Sequence, residues 1–272
     1  MPDSSCVKTI YGTFTSHSKP RLTLTYEYEH SALIAFAKAA ELLGATYFFD
    51  IGANIGCYSI FLSSIESIEK IVAFEPAPAA YQELTQNIAL QTNSEKFSSY
   101  AVALSDVKKQ AQFLIISPMS GANRLEEGDS QGETIEVSCE MLDAVTQIKN
   151  QKIAVKIDVE GHELQTISGM TELLKNNQCL LQVECLEEDL VLRLKKVLRA
   201  LGYVLVFALR DDYIFLSMSL AESKDLLQHI YFQAVKYDLR DLLALRRYKR
   251  KSFDAFVTLL ADNDFPYDPV QQ

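Results

Sequence analysis

The chain has 272 residues, of which 48% are hydrophobic, and it carries a formal net charge of −10 at pH 7. This length can bury one large core, and no apolar run approaches the ~18 residues of a membrane span, so we expect no integral membrane association. The acidic balance argues against broad nucleic-acid binding, because such binding neutralises phosphates with Lys and Arg.

The cysteines and the polar N-terminus predict the compartment. The five cysteines are an odd number without a C-x-x-C pair. Residues 1–18 lack the apolar core of a signal peptide. We therefore expect a reduced, cytoplasmic protein without a zinc site.

The first 44 residues predict a strand and a helix that pack on the core. Residues 22–28 begin with alternating apolar and polar side chains, as in a strand. Residues 31–43 have apolar side chains at helical spacing. They end at Gly44, which suits the left-handed residue that follows many helices.

The next segment predicts two core strands joined through a glycine turn and a helix. Residues 46–51 form the first apolar run, and residues 56–64 predict the helix after the turn. Residues 71–75 form the second apolar run, which ends in Glu75, 25 residues after Asp50. In a nucleoside-cofactor site at the carboxyl edge of a parallel sheet, glycines let the backbone approach the ligand and such an acid accepts from ribose hydroxyls.

The spacing of the glycines in the turn distinguishes between two possible cofactors, NAD and S-adenosylmethionine. A dinucleotide fingerprint G-x-G-x-x-G starting at Gly52 would need glycines where Asn54 and Cys57 stand. Asp50 places a carboxylate at the mouth of the turn, which suits a cation better than a pyrophosphate. S-adenosylmethionine (SAM) carries an ammonium and a sulfonium and no phosphate, so the charge pattern favours SAM over NAD.

Eight residues around the turn and the second strand are candidate cofactor contacts. Asn54 could donate to the cofactor carboxylate or cap the helix, and Tyr58 could line the methionine end or pack in the core. The candidates are Asp50, Gly52, Ala53, Asn54, Gly56, Tyr58, Glu75 and Pro76.

The remaining pattern alternates strands with helices, which is typical of an α/β fold. Residues 110–117 and 133–139 predict an additional β-pair around a polar loop, and residues 203–208 and 213–216 predict a hairpin. The other predicted strands are 97–104, 153–158 and 179–184, and the other predicted helices are 78–90, 163–175 and 187–201.

The pattern divides the chain into three parts. Residues 1–44 are the N-terminal segment, residues 45–218 the main domain, and residues 219–272 a C-terminal helical extension and tail. The extension could cover the sheet edge, form a homodimer contact or act as a lid. Its basic stretch, residues 246–251, is either a solvated helix end or a phosphate-binding patch.

Several motifs together resemble the FkbM-type methyltransferases over residues 45 to 185. The two most specific are Asp50-Ile51-Gly52-Ala53-Asn54-Ile55-Gly56 and Lys156-Ile157-Asp158-Val159-Glu160-Gly161-His162-Glu163-Leu164. The others are Phe74-Glu75-Pro76, Ala103-Leu104-Ser105-Asp106, Ser120-Gly121-Ala122-Asn123 and Glu184.

The resemblance implies a class I, Rossmann-like fold. Such a fold has a seven-stranded, mostly parallel sheet whose last strand is antiparallel. It also implies SAM-dependent methylation of hydroxyls on sugars, polyketides or related products, with residues 120–123 as an acceptor loop. The adenine pocket is expected at the end of the third strand, with Val102, Ala103 and Asp106 as candidate contacts.

The candidate catalytic residues follow the fourth and fifth strands. Asp158 is the first choice for contacting the methionine part of SAM or holding the acceptor hydroxyl. Glu160 and His162 are alternatives for the base, although Glu160 could only shape the turn and His162 could only begin the helix.

Two further residues complete this catalytic set. Lys156 is unusual in an apolar strand and needs a partner, which could be Asp158, Glu184 or Glu75. Glu184 is a candidate for acceptor binding. Oxygen ligands could hold a metal here, but nothing in the spacing demands one, and we predict none.

The sequence thus predicts an O-methyltransferase that acts on a sugar hydroxyl in a glycan or glycosylated metabolite. The acceptor could be nucleotide- or lipid-linked. The alternatives are methylation of another small natural product and a non-catalytic SAM- or nucleotide-binding module. A nucleotide-binding oxidoreductase is disfavoured because the G-x-G-x-x-G motif is absent.

Overall fold

A computed structural model of the chain describes residues 6–24, 29–126, 132–223 and 226–228, with only the backbone of residues 23 and 24. The strands are β1 (Cys6–Thr9), β2 (Gly12–Thr15), β3 (Tyr47–Ile51), β4 (Lys70–Phe74), β5 (Phe97–Tyr100), β6 (Ala103–Leu104), β7 (Lys109–Ile115), β8 (Arg124–Leu125), β9 (Glu133–Glu140), β10 (Lys152–Ile157), β11 (Gln178–Glu184), β12 (Tyr203–Leu209) and β13 (Asp212–Ser217). The helices are α1 (Lys19–Leu24), α2 (His30–Leu43), α3 (Cys57–Leu62), α4 (Pro78–Ala89), α5 (Leu142–Val145), α6 (Glu163–Ser168), α7 (Thr171–Asn176), α8 (Glu188–Ala200) and α9 (Met218–Ala221).

The main sheet of the described residues has seven strands in the order β12-β13-β11-β10-β3-β4-β5. The neighbours from β11 to β5 pair in parallel, whereas β13, the last strand of the described residues, pairs antiparallel with both β11 and β12. This confirms the predicted α/β class and the mostly parallel sheet with an antiparallel last strand.

Helices cover both faces of this sheet, because side chains alternate along each strand. Phe48 packs in a buried cluster with Phe36 of α2, and the adjacent Phe49 packs in a second cluster with Leu173 of α7 and Leu194 of α8. The central strands are therefore apolar on both faces, as expected for a parallel sheet.

The N-terminal segment packs into the first of these clusters. Tyr11 and Phe14 of the β1–β2 hairpin, Leu22 of α1 and Leu33 of α2 are all buried there. The helix α2 ends as predicted at Gly44, whose φ of 67° places it in the left-handed region.

The strand predicted over residues 22–28 is wrong for the described residues, since 22–24 belong to α1 and 25–28 lie outside the described chain. Pro20 stands at the second position of α1, where the first turn tolerates its missing N–H. The polar hairpin β1–β2 was not predicted.

The predicted strand 97–104 divides between two sheets. The strand β5 ends the main sheet, whereas β6 pairs in parallel with β9 in a smaller sheet of order β6-β9-β7-β8. The predicted β-pair of residues 110–117 and 133–139 is confirmed as β7 and β9, which pair antiparallel.

The predicted helix over residues 163–175 is two helices, α6 and α7. They meet at Gly169, where a Cβ would lie 1.9 Å from the carbonyl oxygen of Ser105. The helix therefore breaks where its backbone contacts the end of β6.

Most of the predicted C-terminal extension, including residues 246–251, lies outside the described residues. Within the described part of the chain, no helix combines the length and the hydropathy that crossing a bilayer requires.

Candidate functional site

The turn after β3 lies against the residue that follows β10. Gly52, Asn54 and Gly56 all have positive φ, of 83°, 50° and 89°. A Cβ on Gly52 would lie 1.8 Å from the carbonyl oxygen of Asp158. Only glycine fits this close approach, which brings the turn and Asp158 together at the carboxyl edge of the sheet.

Glu75 holds the turn through backbone amides. Its Oε2 accepts from the backbone N–H of Asn54 and its Oε1 from that of Ala77, both at 2.8 Å. Burial raises the pKa of Glu75 to about 7. Each carboxylate oxygen can accept twice, so Glu75 keeps acceptor capacity for a ligand.

Asp50 ties β3 to α3. Its Oδ2 accepts from the backbone N–H of Ser59 at 3.0 Å and from the Ser59 hydroxyl at 2.6 Å. Burial raises the pKa of Asp50 to about 6. The side chain is buried beneath the turn, which gives Asp50 a structural role alongside its predicted contact with a cofactor.

A cleft of about 570 Å³, including its open mouth, runs beside the turn. We call it the turn cleft. Its lining includes six of the predicted cofactor contacts and Asp158, whereas the predicted contact Asp106 is exposed and accepts from the Ser105 hydroxyl. The predicted residues in the lining are Gly52, Asn54, Glu75, Pro76, Val102, Ala103 and Asp158.

A second, smaller cavity, the inner cavity, lies beneath the turn. Its lining includes Lys156 and Asp158, so it connects the turn to the end of β10. The predicted cofactor contacts that line it are Asp50, Gly52, Ala53, Asn54 and Tyr58. Of the predicted turn residues, Gly56 lines neither space, and a Cβ there would lie 2.6 Å from the Leu84 side chain.

Lys156 is buried among three carboxylates. Its Nζ lies 2.9 Å from Glu184 Oε2, 3.5 Å from Asp212 Oδ1 and 3.6 Å from Asp158 Oδ2. We call these four residues the lysine cluster. The Nζ also lies 5.2 Å from the centre of the Tyr58 ring. Two of the predicted partners, Asp158 and Glu184, are present, and Asp212 is the partner that the sequence did not reveal.

Burial and mutual charge shift the pKa values of the cluster members in different directions. Burial acts to lower the pKa of Lys156, but the three carboxylates outweigh it and hold that pKa well above its usual value. Burial raises the pKa of Asp158 well above its usual value against the opposing effect of Lys156. The pKa of Glu184 is lowered by Lys156.

A third cavity, the acidic cavity, is lined by the predicted catalytic residue Glu160 together with Asp158 and Glu184. It is lined by Arg124, Asp158, Glu160, Gly161, Glu163, Glu184, Cys185, Leu186, Glu187 and Leu190. Glu160 has a φ of 54°, which is costly for a residue with a side chain and is common at functional sites. Asp158 lines all three spaces.

His162 lies elsewhere. Its Nε2 is 2.9 Å from the Ser105 hydroxyl, the ring is buried, and it lines none of the three spaces. This geometry favours Asp158 or Glu160 over His162 as the base.

Arg21 was not among the predicted site residues; it lies in α1, just before the residues 22–28 that were predicted as a strand. It lines both the turn cleft and the inner cavity, and its Nη2 lies 2.6 Å from Glu29 Oε1. A Cβ on Gly121 would lie 3.1 Å from Arg21 Nη1, and the Asn54 amide donates to Ser120 O at 3.2 Å. The loop of residues 120–123 thus lies over the turn.

Among the described residues, no three His, Cys, Asp or Glu side chains are grouped so that they could hold a metal ion.

Comparison with known proteins connects this geometry to a family. A model of the methyltransferase FkbM domain matches residues 50–205. The hexuronic acid methyltransferase AglP of Haloferax volcanii is 30% identical over 131 residues, which are 47% of this chain and 51% of that protein. The methyltransferase sdnD of Sordaria araneosa is 43% identical over 51 residues, 19% of this chain and 20% of that protein.

The chain therefore spans about half of one curated relative and a fifth of the other. A crystal structure of an FkbM methyltransferase from Methylobacillus flagellatus KT superposes with a TM-score of 0.47 at 14% identity, covering 64% of this chain and 44% of that one. The family match covers more than half of the 272 residues, and the chain belongs to the FkbM family of methyltransferases.

Proposed function

We propose that the protein transfers the methyl group of SAM to a hydroxyl of a sugar, in a glycan or a glycosylated metabolite. The observation that carries this proposal is the meeting of the turn, Glu75 and Asp158 in one cleft, with the acidic cavity on the other side of Asp158. The sugar acceptor is supported by the Haloferax volcanii relative, which is named for methylation of a hexuronic acid.

The lining of the turn cleft fits SAM by its chemistry. Glu75 would accept from the ribose hydroxyls with its remaining lone pairs. Pro76, Val102 and Phe113 provide an apolar wall for adenine. Arg21 carries a planar fork of donors that suits the carboxylate of the methionine part.

The charges at the inner end of the cleft also suit this cofactor. Asp158 lines it there, and a carboxylate stabilises a nearby ammonium or sulfonium. A dinucleotide would instead bring a pyrophosphate next to Glu75 and Asp158, where like charges repel.

Bound SAM supplies an electrophilic methyl group on a sulfonium. The protein then has to align the acceptor hydroxyl, which can contribute on the order of 7–11 kcal/mol. Asp158 can accept the proton that the hydroxyl loses as its oxygen gains the methyl group, which contributes roughly 10²–10⁴-fold. Lys156 and Glu184 hold Asp158 in position.

The test is calorimetric titration of S-adenosylhomocysteine (SAH) into the purified protein, with NAD titrated in parallel. We expect saturable SAH binding and no NAD binding. Glu75→Gln should weaken SAH binding by at least about tenfold, because an amide nitrogen cannot accept from a hydroxyl. The matched control is Glu66→Gln, which changes an exposed glutamate. Binding of NAD, or of neither ligand, would contradict the proposal.

Catalysis is tested separately from binding. At saturating SAM, Asp158→Asn should lose roughly 10²–10⁴-fold in the rate of methyl transfer. If Asp158→Asn transferred methyl groups as fast as the wild type, Asp158 would not be the base. A non-catalytic binding module would bind SAH and show no transfer to any acceptor.

A further inference from the structure

The acidic cavity holds about 680 Å³, including its open side, between the loop after β10 and the start of α8. It meets the turn cleft at Asp158, which lines both. A molecule in the acidic cavity is therefore next to the carboxylate that faces the proposed donor site.

The described lining of this cavity is mainly acidic. It contains five carboxyl groups and one cation, Arg124, and two of the carboxyl groups also pair with Lys156 of the lysine cluster, a residue outside the described lining. Arg124 is itself partly exposed, and its Nε lies 3.7 Å from Glu126 Oε2. The carboxyl groups belong to Asp158, Glu160, Glu163, Glu184 and Glu187.

Glu163 adds an independent sign that the cavity receives a ligand. The residue is 1% exposed, and its Oε1 accepts from the backbone N–H of Gly161 at 2.8 Å. Its buried Oε2 has no hydrogen-bond partner in the described part of the chain. A buried acceptor without a partner is costly, and a donor from a bound molecule would remove that cost.

Part of the cavity lining is apolar. Leu186 and Leu190, at and just before the start of α8, belong to it, and Leu186 is 67% exposed. A ligand can therefore present donors to the carboxyl groups and its carbon skeleton to the leucines, as the two sides of a sugar ring do.

We propose that the acidic cavity binds the methyl acceptor and selects a sugar that presents hydroxyl or ammonium donors and carries no anionic group within the cavity. This inference rests on the proposed function and deepens it, and it predicts an acceptor that differs from the hexuronic acid for which the Haloferax volcanii relative is named. A carboxylate or phosphate on the acceptor would face Glu160, Glu163 and Glu184, and like charges brought together in a binding site cost several kcal/mol.

The experiment uses the SAH-saturated protein and three series of methyl glycosides. The series are neutral hexoses, 2-amino-hexoses and hexuronic acids, each in gluco, galacto and manno configuration. For the configuration that binds most tightly, we expect the uronic acid to bind at least about tenfold more weakly than the hexose, because of like-charge repulsion. The amino sugar should bind at least as tightly as the hexose. Comparison of the hexose with the amino sugar distinguishes a site that binds hydroxyl groups from one that binds ammonium groups.

Glu163→Gln tests the residue that points to the ligand. It should weaken binding of the hexose and the amino sugar by about tenfold, because a charge-assisted acceptor is lost. The substitution should also reduce the difference in binding affinity between the amino sugar and the uronic acid. The matched control is Glu188→Gln, an exposed glutamate at the start of α8 outside the cavity. Unchanged SAH affinity in Glu163→Gln would show that the fold is intact.

Two results would overturn this inference. One is preferential binding of a uronic acid, and the other is binding of no sugar in any series by a protein that binds SAH. Failure of the proposed function is distinct, because it appears earlier as failure to bind SAH at all.

Discussion

The turn and the lysine cluster lie at the same edge of one sheet, yet they are held in different ways. The turn is fixed by backbone: positive φ angles and two amides that donate to Glu75. The lysine cluster is fixed by side-chain charges from three strands or strand ends, and its most distant pair, Lys156 and Asp212, is 56 residues apart in the chain. The groups that fix the turn directly follow adjacent parallel strands, whereas the lysine cluster also needs the antiparallel pairing of β13 with β11.

The largest effect is expected from a substitution that disrupts the turn. Gly52→Ala should abolish SAH binding and destabilise the protein by about 3 kcal/mol or more, because the new Cβ would collide with the Asp158 carbonyl. Gly44→Ala is the control, since Gly44 also has positive φ but has open space around it. It should cost only about 1 kcal/mol. Denaturant unfolding measures both, and equal losses would show that the close approach is unimportant.

The next largest effect is expected from a substitution that disrupts the lysine cluster. Lys156→Met leaves Asp158, Glu184 and Asp212 without their cation and should cost about 3 kcal/mol of unfolding free energy. Lys152→Met changes an exposed lysine on the same strand and should be nearly neutral. If the two variants were equally stable in urea, the cluster would not contribute to the fold.

A pH titration sharpens the comparison, because Glu75 should change charge near neutrality whereas Lys156 should stay charged. The pKa of Glu75 is raised from 4.5 to about 7 by burial. In the ligand-free protein, its contribution to stability is therefore full below pH 4.5 and is lost as the pH rises through about 7.

SAH binding should show the opposite trend, since the charged carboxylate accepts best from ribose hydroxyls. SAH affinity should rise about tenfold from pH 6 to pH 8, as the ionised fraction of Glu75 increases. Calorimetry of the wild type and of Glu75→Gln at both pH values measures this. An equal rise in Glu75→Gln would assign the pH dependence to another group.

The smallest expected effect concerns His162, which lies outside both features. His162→Ala should lower the unfolding free energy by about 1 kcal/mol through loss of its hydrogen bond to Ser105. SAH affinity should stay within about twofold. A loss of methyl transfer by about 100-fold or more would instead restore His162 as a candidate base.

The same contrast explains what could be predicted from the sequence. The glycines, Asn54 and Glu75 follow the strands directly, so their position at the sheet edge could be predicted from the chain order. Asp158 was one of three candidate partners of Lys156, and alternation along the strand places the two residues on the same side. Asp212 could not be found in this way, because it stands opposite Glu184 only through the antiparallel insertion of β13.

Other errors come from tertiary context. The strand predicted over residues 22–28 was wrong because a short run of alternating residues does not distinguish a strand from a helix whose apolar side packs on the core. The run of residues 97–104 looked like one strand, but its two ends pair in different sheets and leave Val102 between them in the turn cleft. Sheet membership of this kind is decided by long-range partners.

The most direct measurement is a crystal structure of the protein with SAH. We predict that the ribose hydroxyls lie within hydrogen-bond distance of Glu75 and that the sulfur lies beside Asp158, facing the acidic cavity. SAH bound away from Glu75, or with its sulfur remote from Asp158, would contradict the assignment of the turn cleft as the donor site.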